Sequence, residues 1–366
     1  MAFYKFFKIV NFKNFKELEV QDFGRINLIV GKNNSGKTAL LEALFIHSGA
    51  YNPELVVRTY EFRGMNLLSP ISIKKSLEFL FYNFDTTRPV ELIGKVQTSK
   101  GEKHSKIKLE ILREDERLKE VSSITFFRQD TPQAPILLGE IQSGLATVFQ
   151  LSHEEGGEVK KYNLIITANS INLNPPFPAP PFEAIFLPAR GSVPLTFEAD
   201  LFSRLRLENL HEKIISFLKI IEPNLKNIEV LTFGGLPILY GDVGLRTPLP
   251  LALLGEGLVK LSKILISIGV AKDGVVLIDE IENGFHYSVM KNVWKAIAKM
   301  ARECNVQVFA STHSFECIIN AHEAFIEEEQ YDLKLLRLER IGENIVVIDY
   351  DKETLDEAIK ANFEVR

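Results

Sequence analysis

The stretch GKNNSGKT, Gly31 to Thr38, sets two glycines with four residues between them and follows the second with Lys-Thr, the spacing of a phosphate-binding loop. Glycines let successive backbone N–H groups curl around an anion, and a helix that starts at the loop adds the partial positive charge of its N-terminus. On this reading Gly31, Lys32, Asn33, Asn34, Ser35, Gly36, Lys37, Thr38 and Ala39 hold the phosphates of a nucleotide. Lys37 reaches the β- and γ-phosphates, and the Thr38 hydroxyl ligates Mg2+. A second stretch, VVLIDE (275–280), is an apolar strand that carries Asp279 to its end as a metal ligand. The next residue, Glu280, is a carboxylate placed to polarise an attacking water. A third, VQVFASTHS, puts His313 in a polar turn at a strand end. Ligands in open α/β sheets sit outside the carboxyl ends of strands, so His313 is either a γ-phosphate sensor or a satisfied structural histidine. The fourth, LLGEGLVKL, places Gly255, Glu256 and Gly257 at the start of an apolar helix. Such a start can bind an anion or can be an ordinary cap.

The elements that must position these residues are also written in the pattern. INLIV (26–30) is a wholly apolar run of the kind buried on both faces of a central sheet, and the helix after the loop covers Lys37 to about His47. Residues 3–10 and 16–20 read as short strands. From about 60 to 175 the chain is rich in β-type runs, SLEFLFYNF, VELIGKV, KIKLEIL, ITFFRQ and YNLIITA among them, separated by polar turns. The proline cluster NPPFPAPPF (174–182) is the clearest linker. A helical stretch (197–221) follows, then a helix at about 256–270, and then strands alternating with helices, as in a parallel doubly wound sheet. The last helix starts at Asp351 or at the capping-box pair Thr354 and Glu357. A strand end and a helix cap account for Asp349 and Asp351 better than a metal does.

The bulk numbers set the boundaries. A chain of 366 residues that is 46% hydrophobic has ample material for a large core, and a net charge of −5 gives no overall basic signature. Cys304 and Cys317 form neither a disulfide framework nor a zinc spacing, and both read as small buried residues in a reducing compartment. No apolar stretch has the length of a membrane helix, so a cytoplasmic protein without a membrane partner is expected.

The order of phosphate loop, Gly-flanked helix start, Asp-Glu strand and strand-end histidine resembles the ABC ATPase superfamily. NFKNFKELEV followed by FGRINLIVGKNNSGKTALLEAL, together with IDEIENGFH and ASTHS, is similar to its RecF, SMC and OLD-type branch, and to short OLD-type members without a TOPRIM domain in particular. The motifs cover residues 1–48 and about 245–350. The resemblance implies an α/β P-loop ATPase head with an inserted antiparallel β-rich lobe and a helical lobe. The chain then divides as 1–58 (P-loop part of the core), 59–195 (β-rich lobe and linker), 196–270 (helical lobe ending in the signature) and 271–366 (rest of the core). It also implies ATP and Mg2+ as cofactors and an ATP-dependent homodimer. Gly255, Glu256 and Gly257 then act across subunits as the signature, and Glu282, Asn283 and Gly284 form a loop at the dimer contact.

Departures narrow the function. Gly-Glu-Gly replaces the Ser-Gly-Gly-Gln usual in transporters, which argues against a transport ATPase. The LPARG turn offers Arg190 where the family has a glutamine, and Gln129, Gln133 and Gln142 are weak substitutes. Only about fifty residues follow the His313 helix start, too few for a TOPRIM nuclease domain. The expectation is therefore an ATP switch that controls a separate effector, such as a nuclease or toxin in phage defence. A RecF-like DNA-binding ATPase in repair is the alternative, which leaves nucleic acid open as a partner. Lesser features are Arg58 and Arg63 after the loop helix, which could reach the phosphates or face solvent, and the basic hairpin Lys100, Lys103, Lys106 and Lys108. Arg204 and Arg206 in the helical lobe could meet a partner or DNA, and Lys5, Lys8, Lys13 and Lys16 have the alternation of a half-buried strand.

Overall fold

The computed structural model describes residues 2–65, 67, 69–98, 101–113, 146–190 and 195–361. Strands β1 (Ala2–Phe12) and β2 (Phe15–Gln21) form a hairpin, and β3 (Ile26–Val30) runs into the phosphate loop and helix α1 (Lys37–Ser48). Helices α2 (Glu54–Glu61) and α3 (Pro70–Glu78) follow, then β4 (Val90–Thr98), β5 (Gly101–Ile111), β6 (Thr147–Glu155), β7 (Glu158–Ile166), β8 (Ile171–Asn174) and β9 (Ala184–Leu187). The helical lobe holds α4 (Leu195–Leu207), α5 (His211–Leu218), the strands β10 (Asn227–Phe233), β11 (Leu236–Asp242) and β12 (Leu249–Pro250), and α6 (Glu256–Val270). The chain continues through β13 (Val275–Ile278), α7 (Tyr287–Glu303), β14 (Gln307–Ser311), α8 (Phe315–Ile326), β15 (Leu333–Ile341), β16 (Asn344–Tyr350) and α9 (Lys352–Lys360).

The core sheet has the order β16-β15-β3-β14-β13-β9, with β15, β3, β14, β13 and β9 parallel and β16 antiparallel at the edge. Both faces are buried, which is why β3, β13 and β14 are apolar without alternation. Leu28, Val276 and Val308 point into a core shared with α4 to α8. Ile29, Leu277 and Phe309 point the other way, into a second core with α1 and the antiparallel sheet. Helix α1 therefore lies between two sheets, and every residue from Ala39 to Ser48 is buried. Among the described residues no helix is long and apolar enough to cross a membrane.

The strands of 59–195 do not make a sheet of their own. β1 pairs antiparallel with β4, so the β-rich segment extends a sheet begun by the N-terminal hairpin, in the order β2-β1-β4-β5-β6-β7-β8. Gln307 staples that sheet to the core: its side chain accepts from Tyr4 N (2.7 Å) and donates to Tyr4 O (3.1 Å) and Gly24 O (2.8 Å), and it is fully buried. Two local expectations are corrected. SLEFLFYNF is not a strand: Ser76–Glu78 end α3, and Tyr82–Phe84 form a 3-10 turn. The helix wins because Ser69 and Ser72 make a reciprocal capping box and Pro70 presets the first turn. The helical stretch 197–221 is two helices, broken where Asn209 takes φ 60°. ITFFRQ lies outside the described residues.

The cysteines are buried as expected, and burial pushes the Cys304 and Cys317 thiols up to about 11 and about 12. Asp351 accepts from Thr354 N (2.9 Å) as the cap of α9, while Asp349 meets Lys334 at 2.7 Å.

Candidate functional site

The sharp turn from β3 into α1 is made by Gly31, Asn34 and Gly36, all at positive φ. No side chain caps α1 at Gly36, so its first N–H groups are free to face an anion. Lys37 folds back over the loop and donates to Gly31 O (2.6 Å) and Lys32 O (3.0 Å). Burial pulls its ammonium down to about 8, against the attraction of Asp279, Glu280 and Glu282. Among the described residues Ser35 Oγ is buried without a hydrogen-bond partner. A buried donor left unpaired inside an anion-shaped loop fits a phosphate oxygen as its missing acceptor.

The acidic half meets this loop from β13. Thr38 Oγ1 donates to Asp279 at 3.0 and 3.1 Å, and Ser311 Oγ donates to Asp279 Oδ1 at 2.6 Å. Burial raises the Asp279 carboxyl above its ordinary range, and the Ser311 and Thr38 hydroxyls oppose that rise. A hydroxyl and a carboxylate converging from two elements are hard oxygen ligands of the kind Mg2+ takes with only one or two protein groups.

Glu280 sits at φ 48°, off the strand path, and its N–H donates to Ser311 Oγ at 2.9 Å. Its carboxylate accepts from Asn283 Nδ2 at 2.8 Å and lies 3.7 Å from His313 Nε2. The backbone N–H of His313 donates to Glu282 at 2.7 Å, which locks the two strand-end turns together. Lys37, Thr38, Asp279, Glu280 and His313 thus converge at the carboxyl end of β3, β13 and β14.

A cleft of about 880 Å³ opens over the loop, and His313, Arg63 and Arg340 also line it. Its floor contains a buried charge cluster that the sequence did not announce. Glu42 on α1 is fully buried and accepts from Lys13 Nζ (2.7 Å) and from Arg63 Nε (2.7 Å) and Nη2 (2.8 Å). Lys13, read as one of several half-buried strand lysines, is also the partner of this carboxylate. Arg63 is held at the cleft by Glu42, while Arg58 is exposed and does not line it. Arg340 donates to Asn34 O at 3.4 Å. Ser311 and Arg340 lie in runs that read only as strands, so their side chains carried no separate signal.

The Gly-Glu-Gly helix start lies elsewhere on the same chain. A Cβ at Gly257 would stand 3.1 Å from Gly284 O, so the start of α6 packs against the 282–284 loop. Together they line a separate cleft of about 340 Å³ with Pro188, Ala189 and Lys260. Gly255, Glu256 and Gly257 do not line the P-loop cleft of their own chain. The basic hairpin is largely neutralised: Lys103 meets Glu155, Lys106 meets Glu91 at 2.6 Å and Lys108 meets Glu110 at 2.9 Å. Arg190 is exposed; Gln129, Gln133, Gln142 and Lys100 lie outside the described residues.

The loop geometry yields a direct test. Gly36 has φ 101°, and a Cβ there would stand 2.5 Å from Cζ of Phe15. Gly36→Ala is expected to lose about 1–3 kcal/mol of stability through backbone strain and to weaken triphosphate binding at least tenfold. Thermal melting and calorimetric titration with ATP read both effects; unchanged affinity would remove the loop as the phosphate cradle.

Comparison with known proteins follows the same lines. Residues 26–318 match the family described as "AAA domain, putative AbiEii toxin, Type IV TA system". An ATP/GTP phosphatase of Helicobacter pylori (strain ATCC 700392 / 26695) is 24% identical over 366 residues, which covers 95% of this chain and 96% of that protein. The DNA replication and repair protein RecF of Clostridioides difficile (strain 630) is 43% identical over 44 residues, 12% of each chain. A solved Smc head domain with an extended coiled coil, bound to the C-terminal domain of ScpA and derived from Pyrococcus furiosus, superposes with a TM-score of 0.52 at 10% identity over 99% of both chains. At that identity the likeness shows the fold alone, that of an Smc head domain.

Proposed function

The chain belongs to this AbiEii-type AAA-domain family, and from that premise we propose that it is an ATPase of the ABC type that closes head to tail with a second copy around ATP. The observation that carries the reading is the bonded chain Thr38–Asp279–Ser311–Glu280, which joins the P-loop to the acidic strand end. Lys37 leaves the Gly31 and Lys32 carbonyls to meet the phosphates, and Ser35 Oγ gains its acceptor. Thr38 and Asp279 would hold magnesium, whose chemistry there would be to offset phosphate charge and polarise the γ-phosphate. Glu280, fixed by Asn283 and by its own N–H, takes the proton of the attacking water. His313, beside Glu280 and facing the cleft, contacts the γ-phosphate and so reports whether it is still there.

Glu282, Asn283 and Gly284 brace the start of α6, so the Gly255–Gly257 segment is presented outward beside Leu253, which is 71% exposed. That presentation supports a role for the segment across subunits. Hydrolysis is supported by the name of the Helicobacter relative, and control of a toxin-like effector by the family's description. The pairing of the hairpin lysines with carboxylates favours this effector reading over a DNA-binding one.

The test is the solution mass of the Glu280→Gln protein with and without ATP and Mg2+. ATP is expected to convert monomer to dimer or to tighten an existing dimer. Leu253→Asp should abolish this, because it places a negative charge beside the partner's triphosphate without disturbing a packed contact. Gly257 is a poorer probe, since its close approach to Gly284 O makes any larger residue perturb its own chain. An assembly indifferent to both ATP and Leu253→Asp would leave the Gly-Glu-Gly as a helix cap only.

A further inference from the structure

The cleft over the P-loop has an aromatic wall that the phosphate chemistry does not use. Phe79, Phe81, Tyr82 and Phe84 line the same cleft as Lys37 and Thr38. Phe81 is buried and bridges to Phe12 of β1, as a core aromatic should. Phe79 and Phe84 differ: they are 48% and 65% exposed, and their rings meet edge to face at 5.8 Å. Two large apolar rings held in water beside a polar anion site need an occupant to cover them.

The segment that carries them is built rather than loose. Asn83 and Phe84 both take left-handed backbone conformations, φ 51° and 58°, which non-glycine residues adopt at a cost. The surrounding bonds hold that conformation in place. Lys13 N donates to Leu80 O at 2.7 Å, and Asn11 Nδ2 donates to Arg88 O at 2.8 Å and Asp85 O at 3.2 Å. The Asp85 carboxylate in turn accepts from Thr87 N at 3.0 Å and Arg88 Nε at 3.0 Å. The turn is thus pinned to β1 on one side and closed by its own cap on the other, and Phe84 stays out in the cleft.

We propose that the Phe79–Phe84 wall is the platform on which the purine base stacks when the triphosphate lies in the P-loop. The inference rests on the nucleotide reading given above. The occupant follows from continuity: one cleft holds a phosphate cradle at one end and flat apolar rings at the other, the two chemistries of a nucleoside triphosphate. Stacking uses the face of the base, which adenine and guanine share, so the wall accepts both purines. A base laid on an aromatic ring gains about tenfold or more in affinity.

Calorimetric titration of wild type, Phe84→Ala, Phe84→Tyr and Lys37→Ala with Mg-ATP, Mg-GTP and inorganic tripolyphosphate separates the contributions. Phe84→Ala is expected to weaken ATP and GTP about tenfold each and to leave tripolyphosphate unchanged, while Phe84→Tyr retains all three. Lys37→Ala should weaken all three ligands together. Equal ATP affinity in wild type and Phe84→Ala overturns the platform while the P-loop reading stands. Tripolyphosphate weakened as much as ATP by Phe84→Ala also overturns it, because the effect would then be a distorted loop. If wild type binds none of the three, the nucleotide reading falls and the platform with it.

Discussion

Glu280→Gln should bind ATP as tightly as the wild type and turn it over about 10²- to 10⁴-fold more slowly. The change keeps the size of the side chain and its bond from Asn283 but removes the basic oxygen that accepts a proton from water. Among the described residues no hydrogen bond joins Glu280 to the phosphate cradle: those of Lys37 and Thr38 run to Gly31, Lys32 and Asp279. Single-turnover hydrolysis and equilibrium ATP binding, measured on one preparation, read the two halves separately. Turnover within a few-fold of wild type would move the base to another group. Affinity lost in parallel with turnover would mean that Glu280 holds the strand-end turn rather than the water.

The second large effect is expected far from the reacting atoms. Glu42→Ala should cost about 3–5 kcal/mol of stability, because it removes the fully buried partner of Lys13, whose own side chain is only 11% exposed, and frees Arg63 from the cleft wall. Burial alone would push the Glu42 carboxyl up; the charges and hydrogen bonds of Lys13 and Arg63 more than reverse this and hold it below the ordinary 4.5. A carboxyl depressed on folding contributes stability that is complete above its unfolded value. That contribution is lost as pH falls through the folded value. Wild type should therefore lose this stabilisation in acid below about pH 4.5, and Glu42→Ala should show a flatter acid limb. Denaturant melts from pH 7 downward test it. A loss under about 1 kcal/mol at neutral pH would show that the cluster relaxes into water when opened.

What the sequence displayed and what it concealed divide by range of interaction. The P-loop, the Asp279–Glu280 strand end and the α6 start are each contiguous, so their chemistry and their local structure are spelled in the same few residues. The bond from Ser311 to Asp279 spans 32 positions, and the Gln307 staple to Tyr4 spans 303. A lone serine and a lone glutamine in apolar runs give no hint of such partners. Alternation with aromatics marks Lys13 as half-buried, as it is, but carries no sign that its ammonium turns inward to a carboxylate on α1. The run SLEFLFYNF misled outright. Its aromatics match strand preference, yet the Ser69–Ser72 capping box upstream commits the backbone to helix before they are reached. The residues argued to hold the base were thus written in a stretch whose local code points elsewhere.

Helix α1 has a consequence for how this protein can change over generations. Buried by a sheet on either side from Ala39 to Ser48, it offers no outward stripe on which substitutions accumulate without effect. Its far end is tied as firmly as its near one: His47 bonds Tyr4 at 2.8 Å and Ser105 Oγ at 3.1 Å. Drift in nucleotide preference or turnover must therefore come from the loops at the cleft rim. A lineage altered along the rod itself would trade packing and catalysis together, with few intermediates that keep both.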